Sequence, residues 1–309
     1  MLAIIILKTV NMKIYTLILV SLFIVSCNIK KQNNKHIEHP EQLYPTVSYL
    51  DLKLDESGNL PENPYILEFE KGKKKIVFCG VNHLTDNSDI TNPMFGKIEK
   101  KFFDISPNIS INEGGDISKK VYKSKREALL KDGEIGLLKI ISDSLKIKTI
   151  DGDMKANLEF KELLKYYSKG EFLAYIVTER FMWSLKGERI KDQKEIDTRY
   201  SQFIQNYIMK FGEVKLNTKE QTLDFYNANY EMLLNRKFNL EELEPTNPFD
   251  PIGKFQEIGR KSKEIRDQYL LKTIDNLLNT NDKVFIVFGG WHLLTCEPGL
   301  KEIINRKRE

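Results

Sequence analysis

The chain has 309 residues, of which 30% are charged and 41% hydrophobic, with 10 prolines and 17 glycines. Those proportions belong to a folded domain and exclude a disordered, collagenous or low-complexity role. The formal charge of +4, from 48 Lys and Arg against 44 acids, is spread along the chain and argues against nucleic acid as a partner.

The one concentrated apolar run comes first. From Met12 the chain reads MKIYTLILVSLFIVSC, with Lys13 ahead of a stretch from Ile14 to Val25 broken only by Thr16 and Ser21. It is too short for the ~20 residues that span a bilayer as a helix. It closes on Ile24-Val25-Ser26-Cys27, so 1–26 reads as a secretory leader. The ending resembles the lipobox of bacterial lipoproteins, which implies lipidation at Cys27 and a domain anchored to a membrane of the cell envelope, outside the cytoplasm. Met12 is the better start, because the first charge after Met1, Lys8, follows six apolar residues. Cleavage after Ser26 removes Lys8 and Lys13 and no acid, so attachment rests on the lipid and not on basic residues. From Asn28 to Pro45 the sequence is polar and without apolar period, and 27–60 reads as a tether before a domain over 61–309.

Within that domain short β-branched runs alternate with helical ones. Tyr65 to Glu70 and Lys75 to Gly80 predict strands, the second nearly continuous in apolar residues and hence central. Met94, Phe95, Ile98, Phe102 and Phe103 fall at helical spacing, and Ile109 to Asn112 is a further strand. Helices are expected from about Ser118 to Leu130 and Ile135 to Leu145, then a strand from Ile147 to Ile150. From about 156 to 280 the period is helical throughout, interrupted by the prolines between Glu244 and Pro251. A helix from about Gly253 to Leu278, a buried strand from Lys283 to Phe288 and a terminal helix complete the chain. The fold class is therefore α/β, with a mainly parallel central sheet built from both ends of the chain and a large helical insertion forming a cap.

Only two histidines, His83 and His292, fall in this domain, and each follows a buried strand by the same step: Gly80-Val81-Asn82-His83 and Gly289-Gly290-Trp291-His292. A glycine at a strand end lets the backbone turn, holding the imidazole over the carboxyl edge where open α/β sheets bind ligands. Neighbouring strands deliver Glu113 and Asp151 to the same edge, whereas Asp116 and Asp153 suit turn positions better. Arg266 lies ~21 Å along the last long helix at 1.5 Å per residue. The following strand spans ~20 Å, so Arg266 stands level with the histidines. Asn82, Trp291 and Asp151 are candidate substrate contacts.

His83, Glu113 and His292 are donors suited to a divalent metal such as Mn, Co or Zn, which would polarise a carbonyl and activate water. Unaided, one histidine would act as general base, Glu113 would orient it or act as acid, and Arg266 would stabilise the oxyanion. No Gly-x-Ser-x-Gly or His-Glu-x-x-His pattern competes. Cys79 and Cys296 are expected to pack as small apolar groups, not as a disulfide.

The paired Gly-x-x-His steps, Glu113 after a core strand, and Arg266-Asp267 ahead of Phe288-Gly289-Gly290-Trp291-His292-Leu293 resemble the TraB/PrgY/GumN family, within the wider group of Tiki metalloproteases, erythromycin esterases and the haem-binding lipoprotein ChaN. The resemblance spans about residues 65 to 306. It implies a metal-assisted peptidase or an esterase acting on a peptide or small ester, with His83, Glu113 and His292 essential and Arg266 as the family's arginine. Trp291 and the step Cys296-Glu297-Pro298-Gly299 depart from the family pattern. Two other readings are a lipoprotein that binds haem or metal, with Trp291, Tyr65 and Phe288 lining an apolar slot, and a regulator of the TraB type that binds peptide without cleaving it.

Overall fold

The computed structural model describes residues 44–52, 60–84 and 89–308. The leader, Cys27, His36, His39 and the tether as far as residue 43 lie outside them. Among the described residues no helix is long and apolar enough to cross a membrane.

Five strands form one sheet in the order β1-β2-β5-β3-β4: β1 Tyr65–Lys71, β2 Lys74–Val81, β3 Ile109–Asn112, β4 Lys148–Asp151 and β5 Lys283–Gly289. β1 runs antiparallel at one edge and the other pairs are parallel. The α/β sheet assembled from both ends of the chain is thus the observed fold. β5, from the far end of the sequence, sits between β2 and β3. Its register sets Val81 beside Gly289 and Asn112 beside Val287, so three strands end together.

Both faces of the central strands are buried, and alternation divides them. Ile76, Phe78, Val284, Ile286 and Phe288 pack on one side with the long helix α8 (Lys254–Thr280) and the terminal helix α9 (Gly290–Asn305). Val77, Cys79, Val81, Phe285 and Val287 pack on the other with α1 (Pro93–Ile105) and α2 (Lys125–Ser144). Each large apolar side chain so buried contributes roughly 1.5–3 kcal/mol. Cys79 and Cys296 are free and buried in the cores on opposite faces, which precludes pairing.

Local chemistry sets the helix ends. Asn92 caps α1 by accepting from the Met94 N–H, with Pro93 in the first turn. Phe103, expected on the apolar stripe, is 43% exposed while Phe102 beside it is buried. Residues 118–124, expected to be helical, form a loop, and α2 begins after its cap Ser124. α2 then kinks at Asp132-Gly133, where Gly133 takes a φ of 53° that other residues avoid.

The helical region has its own core. α3 (Ala156–Leu163), α4 (Lys169–Val177), α5 (Trp183–Leu185), α6 (Gln193–Phe203) and α7 (Leu223–Leu234) surround Phe172, Tyr175, Tyr200, Tyr226 and Tyr230. The segments Thr178–Met182 and Ile204–Phe211 are π-helical. α8 joins the two cores, burying Phe255 and Ile258 in this one and Leu270, Leu271 and Ile274 under the sheet.

The expected tether gives way to folded chain by Tyr44. Tyr44, Tyr49 and Leu60 are buried. The Tyr44 hydroxyl donates to Asp275 on α8, which also holds Arg306 and Arg308 of the chain end. The reason is aromatic: Tyr44 joins the core beneath the sheet, and Tyr49 packs on the Phe249 ring while its hydroxyl reaches Asp267.

Candidate active site

The parallel register of β2 and β5 brings the two Gly-x-x-His steps side by side. Their glycines serve close packing and not the sharp turn expected, since none of Gly80, Gly289 and Gly290 has positive φ. A β-carbon on Gly290 would stand 2.0 Å from Leu60 Cδ1, and one on Gly289 would stand 2.9 Å from Glu113 Oε2. α9 begins at Gly290, so His292 lies in its first turn.

Glu113, one residue beyond β3, is the hub. Its Oε2 lies 3.1 Å from His83 Nε2 and accepts from the Gly289 N–H at 2.6 Å. Its Oε1 lies 3.7 Å from His292 Nε2 and accepts from Arg266 Nη2 at 3.2 Å. Both imidazoles therefore turn the same nitrogen toward one carboxylate.

The opposite nitrogen of each ring meets a second, buried carboxylate. His83 Nδ1 lies 2.6 Å from Oε1 of Glu134, the residue after the α2 kink, whose side chain is 6% exposed. His292 Nδ1 bonds Asp267 Oδ1. Asp267 also accepts from Thr295 at 2.8 Å and from the Tyr49 hydroxyl at 3.2 Å. An ionised carboxylate can only accept, so the His292 proton sits on Nδ1 and leaves Nε2 facing Glu113.

Charge follows geometry. The hydrogen bonds to Glu113 and then Glu134 push the His83 pKa up to about 10 against the opposing effect of burial. Burial alone would raise the Glu113 pKa, but the hydrogen bond from His83 and the charges of Arg266 and His83 outweigh it and hold the carboxyl well below its usual range. Arg266 is desolvated, yet Asp153 and Glu113 keep its guanidinium firmly charged. At neutral pH the site contains an imidazolium at position 83 and a carboxylate at 113.

Arg266 stands level with the histidines, as helix length predicts. Its counter-ion differs from the expectation. Asp153, assigned to a turn, accepts from Arg266 Nε at 3.1 Å and Nη2 at 2.5 Å, while Asp151 takes the turn role by accepting from the Asp153 N–H at 2.9 Å. Burial raises the Asp151 pKa. Both acids line a cleft of about 640 Å³ that reaches Arg266, Arg180 and the exposed Phe211.

The remaining candidates divide. The Asn82 backbone is held by the side chain of Asn63, and its own side chain makes no hydrogen bond among the described residues. Trp291 is 38% exposed and meets Phe249 edge-on at 4.5 Å, forming an aromatic rim beside His292. Phe288 is 2% exposed, packed on Phe78 and the His292 ring, and Tyr65 packs on the same core. Phe288 thus belongs to the interior, and Tyr65 is partly buried against the same core.

Glu134, Tyr49 and Thr295 carry no sequence motif, and Asp267 stood out only as the neighbour of Arg266. A signal existed for Glu134: it follows an Asp-Gly step within a helical pattern. Tyr49 belongs to a stretch whose aromatic content distinguishes it from the polar residues before it.

Among the described residues no three His, Cys, Asp or Glu side chains stand at metal-binding spacing. The Glu113 carboxylate instead lies between the imidazoles and bonds protein donors. The donor chemistry nevertheless fits a divalent ion: two imidazole Nε2 atoms face one carboxylate, each with its Nδ1 on a buried carboxylate, which is the outer-shell pattern of metal-ligating histidines. Comparison with protein-family models, curated proteins and solved structures returned no significant match.

Proposed function

We propose that the chain is a lipid-anchored hydrolase of the cell envelope, a metal-dependent peptidase of the TraB/PrgY/GumN kind, acting on a peptide or small ester. One observation carries the reading: Glu113 lies between His83 Nε2 and His292 Nε2, and each ring is backed by its own buried carboxylate. A structural histidine needs one partner. Two rings aimed at one acid, on adjacent parallel strands at the carboxyl edge, form an acid–base constellation.

His292, with Nδ1 fixed by Asp267, takes a proton from water at Nε2. Glu113 orients that water. His83, an imidazolium at neutral pH, gives its proton to the leaving group. Arg266 binds Glu113 and Asp153 through Nη2 and Nε, which leaves Nη1 for the charge that develops on the carbonyl oxygen. A Mn, Co or Zn ion held by His83, Glu113 and His292 would occupy the Nε2 lone pairs of both rings, so it would supply carbonyl polarisation and a lowered water pKa in place of their proton transfers.

Purified protein is assayed for metal content and for peptide cleavage with Mn, Co and Zn added back. His83→Ala and His292→Ala are each expected to lower kcat/KM by about a hundredfold or more while the fold is retained. Turnover equal to wild type in both variants would remove the hydrolase assignment.

A further inference from the structure

A ladder of rings ends in the cleft beside Arg266. Phe181 stacks on Phe203 at 5.0 Å, Phe203 on Tyr207 at 5.1 Å and Tyr207 on Phe211 at 5.7 Å, with interplanar angles of 20°, 26° and 28°. The last ring, Phe211, is 59% exposed and lines the cleft with Tyr207, so the stack stops where another flat group could extend it. Both π-helical segments meet here: Thr178–Met182 brings Glu179 and Arg180, and Ile204–Phe211 brings Tyr207 and Phe211. Such segments are rare and gather at functional sites. The cleft also continues from the proposed catalytic groups, because Arg266 lines it and bonds Glu113.

Charge narrows the flat group to a cation. Five carboxylates against three cations line the cleft. Arg266 is taken by Asp153 and Arg180 by Glu159, while the exposed Lys155 lies within electrostatic reach of the exposed Asp116. Glu179 has Arg180 Nε at 3.6 Å, and Lys263, outside the lining, is a further cation within its reach. Its Oε2 nevertheless makes no hydrogen bond. Asp151 is left over: it accepts from the Asp153 N–H and has no ion-pair partner among the described residues. Arg180 demonstrates how this wall holds a guanidinium. It lies 5.9 Å from the Tyr207 ring centroid while Glu159 accepts from it at 2.7 and 2.8 Å, a flat cation against the ladder with a carboxylate at its fork. Phe211 and Asp151 offer the same two elements, and neither is engaged by a cation among the described residues.

We propose that this cleft is a subsite for an arginine side chain borne by the substrate beside its scissile bond, with the guanidinium laid on the Phe211 ring and paired with Asp151. Its connection to cleavage rests on the hydrolase reading, whereas the subsite itself requires only that a peptide enter beside Arg266. A flat neutral group lacks the charge, and a lysine lacks the plane. Phe211 and Asp151 are specificity residues and take no part in proton transfer.

The test uses the full chain with acetyl-Ala-Arg-Ala amide and the same peptide carrying citrulline, lysine or glutamate at its centre, binding being followed by calorimetry and cleavage separately. Citrulline keeps the plane and removes the charge; lysine does the reverse. The arginine peptide is expected to bind about tenfold tighter than the citrulline one, the strength of one charge-assisted hydrogen bond, and about threefold tighter than the lysine one, the strength of an exposed cation–π contact. Asp151→Asn, which keeps an oxygen for the Asp153 N–H, should erase the preference over citrulline, and Phe211→Leu the preference over lysine. Both variants should keep the wild-type Tm, which separates lost binding from lost folding. Any effect on cleavage should fall on KM and not kcat. Equal affinity for arginine and citrulline, tightest binding of the glutamate peptide, no binding of the arginine peptide at about 10 mM, or preferences unchanged in both variants would each overturn the proposal. Binding with the expected preferences but without cleavage would keep the subsite and count against the hydrolase.

Discussion

Gly80 packs against Gly290 so closely that a β-carbon on the first would stand 2.9 Å from the Cα of the second, and 3.0 Å from Leu293 Cδ2. The contact joins the end of β2 to the start of α9 and so fixes the spacing of the two histidine-bearing segments. Backbone cannot retreat as a flexible side chain can. Gly80→Ala is therefore expected to cost about 1–3 kcal/mol of stability, the usual range for overpacking. It should also displace His292 relative to Glu113. Chemical denaturation and the His83 and His292 imidazole resonances check both; an unchanged denaturation midpoint with unchanged resonances would refute it.

His83 supplies a pH signature. Its folded pKa is raised to about 10 from an ordinary 6.5, with Glu113 the larger cause and Glu134 the second. The stabilisation from its proton is therefore complete below about pH 6.5 and is lost as pH rises through about 10. In metal-free protein, NMR titration of His83 should show no deprotonation near pH 7. Glu134→Gln should bring the midpoint down and shift the alkaline loss of stability to lower pH. A wild-type midpoint near 6.5 would contradict the paired arrangement.

Asp267 and Tyr49 test the other ring. Asp267→Asn removes the acceptor that fixes the His292 proton on Nδ1, and the amide can offer its own N–H there, favouring the other tautomer. Activity or metal affinity should fall about 10- to 100-fold, the usual effect of losing such an outer-shell carboxylate. Tyr49→Phe keeps the ring contact with Phe249 and removes only the hydroxyl that reaches Asp267 at 3.2 Å. It should cost about 1–2 kcal/mol. An unaltered Tm in Tyr49→Phe would show that residues 44–52 contribute nothing through this bond.

These residues mark where the sequence is legible and where it is not. β2, β3, β5 and the rhythm between them follow from continuous apolar runs, because a central parallel strand buries both faces and leaves no polar alternation. Paired Gly-x-x-His steps located His83 and His292, and helix length placed Arg266. What escaped are partners set by tertiary approach: Glu134 reaches His83 through the kink at Gly133, and Tyr49 comes back to Asp267 from 218 positions away. The Asp151 and Asp153 roles were exchanged because two acids a residue apart differ only in which one the turn directs at Arg266. No local pattern encodes that direction.

The same His83 proton governs metal loading. Glu113 and Glu134 hold it on the ring at neutral pH, yet a metal can bind the imidazole only after it has left. Binding of Mn, Co or Zn should therefore release a proton from this site, and affinity should climb with pH across the range from 7 toward the His83 midpoint of about 10. Calorimetry in buffers of different ionisation enthalpy reads the proton directly. Glu134→Gln gives the deciding comparison: by lowering the His83 pKa it should reduce the proton released at pH 7 and flatten the pH dependence, even if the orienting hydrogen bond is weakened. A metal affinity independent of pH, with no proton released in wild type, would mean that the ion does not use His83.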